Sequence, residues 1–248
     1  VGHSMSYFGS TEFLLEVAKG KIDGHRIAFI PAFGDISTTE TLIWRHGGAY
    51  TFNDTAATLY LSSSDNTDTQ DVRIVWLDAN YEEQTSLVTL QGHTLVTIGT
   101  GLRVNEIYTL DSTSTAGDVY VANANNHTNG VPNNQAEIVA TFDSDAQVRQ
   151  MGLYTVPAGY TVFGVGEIYF SSPKGRDNDF FWNTRNPTTP TPTLKTNVTS
   201  IYQSTVAIGL SYSPLPEKTD VFFTANTSTG SGHVTMRGPI LIVDNTKL

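Results

Sequence analysis

The sequence predicts an all-β protein: antiparallel β-sandwich units of jelly-roll-like type behind an extended N-terminal arm. Three observations predict it. Apolar and polar residues alternate at the two-residue period of a strand, turn-forming residues punctuate those runs at short intervals, and a helical stripe occurs near the start and scarcely elsewhere. Composition agrees: 248 residues with 39% hydrophobic content suffice for one large or two small domains with a real core. Asn and Thr are abundant while charged residues are only 15%, a balance that suits the outward faces of strands.

Residues 1–35 read as the arm. Phe13, Leu14 and Val17 give a short helical stripe, Gly20 and Gly24 interrupt it, and Pro31 closes the segment. Together with Ile22, Ile27 and Phe29 these residues are too apolar for a free tail, yet the glycines leave them unable to build a core alone. The arm is therefore expected to dock on a surface supplied by a neighbour, with a mobile terminus as the plain alternative.

A first β-unit is expected over 36–130. Leu42, Ile43 and Trp44 lead into a Gly47-Gly48 turn, followed by Tyr50 and Phe52. The organising stretch runs from Ala57 to Ile98. Leu59 and Leu61 alternate with Tyr60 and Ser62, and Val72, Ile74 and Trp76 alternate with Arg73, Val75 and Leu77. Turns at Asp78-Ala79-Asn80-Tyr81 and Gln91-Gly92-His93 make this an antiparallel meander whose buried face carries Leu59, Leu61, Val72, Ile74 and Trp76. Strands at Arg103 to Leu110 and Asp118 to Ala122 follow, and the polar loop from Asn123 to Asn134 marks a boundary.

The second unit, 131–248, repeats the style. Strands are expected at Glu137 to Phe142, Val148 to Val156, Tyr160 to Phe170, Ile201 to Leu210, Val221 to Ala225 and Val234 to Val243. Between them, 171–199 reads as a long loop, because Pro187, Pro190 and Pro192 cannot donate to a ladder. Its aromatics Phe180, Phe181 and Trp182, near Arg176 and Arg185, suit a ligand-stacking platform, an oligomer contact or a flap packed on the protein itself. Contact with another subunit is the favoured reading, since Trp, Arg and Phe are enriched where proteins meet.

Several function classes find no support. A net charge of -10 argues against nucleic acid or an anionic membrane as principal partner. With no cysteine there is neither a disulfide framework nor a thiol nucleophile. No apolar run is long enough to span a bilayer, and the first twenty residues lack the pattern of a secretion signal. The six histidines have no metal-ligand spacing, and Gly209-Leu210-Ser211-Tyr212-Ser213 lacks the last glycine of a nucleophile elbow. Gly99-Thr100-Gly101 has no following helix to cradle a phosphate. The acidic loops at Asp65 to Asp71 and Arg176 to Asp179 carry oxygen ligands that suit calcium, but without EF-hand spacing they read as solvated hairpin loops. No catalytic residue, cofactor or metal site is expected.

Five short motifs occur in order: Ala18-Lys19-Gly20 with Gly24-His25, Ile43-Trp44 with Gly47-Gly48, Leu77-Asp78-Ala79-Asn80-Tyr81, Val156-Pro157-Ala158-Gly159, and Pro216-Glu217-Lys218-Thr219-Asp220. In that order they resemble the β-rich virion structural proteins of tailed bacteriophages, especially those of cyanobacterial and marine hosts. The resemblance implies a non-enzymatic role in the virion as a capsid decoration (cement) protein or a tail or fibre component, and it carries no catalytic residues. The expected partners are a major capsid protein or another virion protein and further copies of this chain, in a trimer. Phe13, Leu14, Val17, Ile27, Phe29, Phe180, Phe181 and Trp182 are the expected contact residues. A carbohydrate-binding β-sandwich, using aromatic platforms with acidic and amide groups, is the competing class.

Overall fold

The computed structural model describes residues 10–110, 113–144, 146, 151–165, 167–171, 176–187, 189–201, 206–209 and 213–248. Helix α1 (Ser10–Ala18) is followed by β1 (His25–Ile36), β2 (Thr41–Leu42), β3 (Ala57–Ser63), β4 (Asp71–Asp78), β5 (Glu83–Thr89), β6 (Val96–Thr109), β7 (Val119–Ala122), β8 (His127–Thr128) and β9 (Val131–Pro132). Then come β10 (Ile138–Phe142), β11 (Leu153–Thr155), β12 (Tyr160–Gly164), β13 (Glu167–Ser171), β14 (Asp177–Asn186), β15 (Thr189–Ile201), β16 (Val206–Gly209), β17 (Pro214–Leu215), β18 (Asp220–Thr227) and β19 (Gly232–Asp244). The protein is all-β in character, and the strand pairings among the described residues are antiparallel.

Two sheets face each other as a sandwich. One has the order β16-β13-β19-β12-β17, with β1 on the opposite side of β19; the other runs β11-β18-β14-β15, with β2 beside β18. Alternation fills the space between them: Ile30, Ala32, Val234, Met236, Ile240 and Ile242 point inward from the first sheet, and Phe180, Trp182, Val221, Phe223 and Ala225 from the second. A third sheet, ordered β10-β7-β3-β6-β4-β5, is built from the chain between β2 and β11 and has its own core.

That core bears out the expected meander face: Leu59, Leu61, Val72 and Ile74 are fully buried, and Trp76 lies among them. Gly99 and Gly101 acquire a purpose here, because a Cβ at either would collide with the Trp76 indole. The indole N–H donates to Ser86 Oγ at 3.0 Å. Leu77 points the other way and packs with Tyr81 and Leu102 against Ala158 of the sandwich, so β4 is buried on both faces.

The sheet pairings differ from the sequence expectations in four places. Residues 25–35, expected within the arm, form β1 together with Ile36, paired with β19 in unbroken register from His25 opposite Val243 to Ile36 opposite Gly232. Ile30 and Ile36 sink into the sandwich core, which is the surface the apolar segment needed. The expected boundary at 130 moves later, because β10 pairs with β7, and residues 41–44 join the sandwich through the pairing of β2 with β18 and a bridge from Trp44 to Met151. The expected loop 171–199 contains the hairpin of β14 and β15; Pro190 and Pro192 are tolerated because β15 is an edge strand and both fall where its register with β14 is interrupted, between Thr189 opposite Asn186 and Thr193 opposite Thr184. Finally, Tyr160 to Phe170 divides into β12 and β13, which pair with successive stretches of β19, while the strands expected at Leu95 and Arg103 fuse into β6.

Among the contacts that join the third sheet to the sandwich, two stand out beside the packing on Ala158. The first is an apolar cluster of Leu42, Trp44, Met151, Leu153 and Phe222 with Tyr120 and Ile138 from the third sheet. The second is ionic and buried. Arg103 of β6 donates from Nε and Nη2 to the two Asp220 oxygens at 2.9 and 3.1 Å, and Arg185 of β14 donates to Asp220 Oδ2 at 3.1 Å. Thr155 Oγ1 donates to Asp220 Oδ1 at 2.6 Å, and both guanidinium groups lie over the Phe52 ring. Burial works against the Arg103 charge, but the Asp220 carboxylate more than offsets it, so the Arg103 pKa stands above its ordinary value.

Candidate contact site

The N-terminal helix forms where the sequence stripe placed it, and its end is set by local chemistry. Gly20 adopts a left-handed φ of 69°, the Gly20 N–H donates to the Val17 carbonyl at 2.9 Å and the Lys21 N–H to the Glu16 carbonyl at 3.0 Å. This pair of bonds is a Schellman cap, so the glycine that interrupts the stripe is what closes the helix. Lys19 and Lys21 both reach Glu16, at 2.9 and 3.2 Å, and hold its carboxyl below the usual range.

Helix α1 lies on the outer face of the first sandwich sheet. Register makes that face apolar at one end: Leu241 of β19 stands between Ile27 of β1 and Phe163 of β12, and Val243 pairs with His25. Val17 is buried against Val165, Leu241 and Val243, with Phe13, Leu14, Ile22 and Ile27 half-buried around them. The helix does not fill the surface. A cavity of about 350 Å³ remains, lined by Phe13, Leu14, His25, Phe163, Val165, Leu241, Val243 and Leu248. His25 is its one titratable lining group; the ring meets Phe13 edge-on at 5.7 Å, and Nδ1 donates to the Asp23 carbonyl at 2.9 Å. Leu15 and Leu248, 52% and 69% exposed, add apolar surface nearby. Such a site has shape and hydrophobic area to offer a partner.

Four of the expected contact residues, Phe13, Leu14, Val17 and Ile27, thus gather in one place. Phe29 lies further along β1, exposed, with the Arg237 guanidinium 3.9 Å from its ring centroid. Phe180 and Trp182 are buried in the sandwich core, because β14 runs between β18 and β15 and turns alternate side chains inward; the intervening Phe181 is half-buried. Of the three readings open for these aromatics, packing on the protein itself therefore describes Phe180 and Trp182.

Leu241, Val243 and Phe163 were missed as site residues. Their signal was the unbroken run Ile240-Leu241-Ile242-Val243, which marks a strand covered on both faces. The loop at Asp65 to Asp71 is held by its own hydrogen bonds: Asp68 is buried and accepts from Ser63 Oγ and from the Ala116 and Gly117 N–H groups. Among the described residues, no group of three or more His, Asp or Glu stands close enough to hold a metal.

No family model matches the chain, and no curated protein matches it. It is similar to solved structures from infectious bursal disease virus. A subviral particle of infectious bursal disease virus VP2 aligns at 10% identity and TM-score 0.24, covering 90% of this chain and 73% of that chain. The T=1 particles derived from infectious bursal virus align at 11% identity and TM-score 0.21, covering 91% and 71%. The Gx strain of the same virus aligns at 10% identity and TM-score 0.22, covering 88% and 76%.

Proposed function

We propose that this chain is a non-enzymatic virion structural protein, a capsid decoration (cement) protein of the tailed-phage kind, which attaches to a major capsid protein or another virion protein and acts as a homo-oligomer, a trimer. One observation carries the reading: the unfilled apolar cavity beside α1, where four residues expected to make contacts meet Leu241 and Val243. An inserted apolar side chain would bury that wall at roughly 25 cal/mol per Å² and needs no cofactor to do so. The order of the five sequence motifs supports the virion context, and the net charge of -10 would keep copies soluble before assembly.

The test is incorporation. Mass spectrometry of purified particles should find the chain, and Leu15→Asp, a change at an exposed position of α1, should weaken co-sedimentation with particles while leaving the melting temperature unaltered. Light scattering of the purified chain should report an oligomer. Particles that lack the chain, or that take up Leu15→Asp and Leu14→Asp as readily as the parent, would overturn the proposal.

A further inference from the structure

A second cavity, of about 390 Å³, opens between the sandwich and the third sheet. Its lining differs in kind from the apolar one. Phe29 and Pro31 of β1 and Arg237 of β19 form one wall, and residues 105–108 of β6 form the other, with Glu106 exposed and Tyr108 half-exposed. Asn105 is committed elsewhere, since its amide exchanges hydrogen bonds with the Thr155 backbone at 2.8 and 2.9 Å. The groups left to meet a ligand are the Arg237 fork, which lies over the Phe29 ring, the Glu106 carboxylate and the Tyr108 ring with its hydroxyl. Neither Arg237 nor Glu106 has an ion-pair partner among the described residues, in this cavity or elsewhere.

We propose that this cavity binds a neutral hexopyranose unit of a glycan. The volume falls within the range of roughly 300–1,000 Å³ in which small ligands bind. A guanidinium only donates hydrogen bonds and a carboxylate only accepts them; sugar hydroxyls do both, so one ring with adjacent hydroxyls satisfies both groups. A simple anion would meet repulsion from Glu106, and a simple cation would meet it from Arg237. The C–H face of a pyranose matches the apolar surface that Phe29, Pro31 and Tyr108 present, and the cation–π contact with Phe29 limits the freedom of the Arg237 side chain, which lowers the side-chain entropy lost on binding. The inference goes beyond the structural role in a virion and stands independently of it, since the two cavities share no lining residue.

The experiment is saturation-transfer NMR on the full chain with methyl glycosides of glucose, galactose, mannose and N-acetylglucosamine, and with glycine as a zwitterionic control. At least one glycoside should bind, with affinity falling about tenfold or more in Arg237→Ala and in Glu106→Gln, the scale of a lost hydrogen bond to a charged group. Tyr108→Ala should weaken it as well, whereas Leu87→Ala, an exposed change outside the cavity, should leave it intact. Melting curves will show that each variant is folded. No glycoside bound by the folded chain, binding indifferent to Arg237 and Glu106, or glycine bound in place of the sugars would each overturn the assignment.

Discussion

The third sheet and the sandwich use the same kind of strand but are assembled differently. In the third sheet, β4 pairs with β5 and β6, and β3 with β6 and β7, so its ladders close within the single stretch from Ala57 to Phe142. In the sandwich, the longest ladder joins the two ends of the described chain, His25–Ile36 to Gly232–Asp244, and the third sheet is made in the interval between them. Closing such a long loop costs chain entropy before any contact repays it, so the sandwich depends on interactions that no local segment can supply. The third sheet is the local product and the sandwich the global one.

The largest effect should come from removing residues 1–36. This deletes β1 with Ile30, Ala32 and Ile36, leaves one side of β19 unpaired, and should abolish the cooperative unfolding transition of the sandwich, read by thermal melts. A truncated chain that melts like the parent would mean that β1 is an accessory and that the local and global halves are less distinct than the register indicates. Next comes Asp220→Ala, which strands the buried Arg103 guanidinium at the lock between the two halves, while Arg185 keeps its pair with Asp54. Breaking a buried pair in this way costs about 3–5 kcal/mol, measured by urea unfolding. Loss of a single transition in favour of two would sharpen the comparison, because it would show each half unfolding by itself.

Trp76→Ala tests the local half. It removes an aromatic from the third-sheet core and should cost about 3 kcal/mol, less than a fully enclosed indole because Trp76 keeps some exposure. A cost below about 1 kcal/mol would remove the meander core as the source of that sheet's stability. The smallest effect concerns the junction. His46 stacks edge-on against Trp44 at 5.3 Å and against Tyr120 at 6.3 Å, and burial pushes its pKa below the ordinary value, with Asp118 opposing. A histidine held neutral in the fold contributes fully above its unfolded pKa of about 6.5, and the contribution shrinks as pH falls through that value toward the lower folded one. The melting temperature should therefore fall more steeply between about pH 7 and pH 5 in the parent than in His46→Gln. Equal slopes would remove His46 as a pH-sensitive part of the lock.

What could be read beforehand follows the same division. Alternation exposed the meander with its buried face of Leu59, Leu61, Val72, Ile74 and Trp76, and the helical stripe exposed α1, because both patterns are written within a few residues of each other. The edge position of β15 was not legible: Pro190 and Pro192 look like loop residues until the register shows that both fall in an interruption of its ladder with β14. The same is true of the apolar contact site, of which Phe13, Leu14, Val17 and Ile27 were visible as surplus hydrophobics while Leu241 and Val243, far along the chain, were not.

By itself, then, the sequence determined the all-β class, the period and face of most strands, the helix and the absence of thiol chemistry, since each depends on residue type and near spacing. Only the tertiary structure decided that His25–Ile36 is a sandwich strand, that Phe180 and Trp182 are core, and that Arg103, Arg185 and Asp220 meet as a buried lock. It also brought Phe29, Glu106, Tyr108 and Arg237 to one cavity. Such pairings are chosen by how whole sheets close on one another, and period-two alternation tells each side chain to face in or out without saying which partner it will find there.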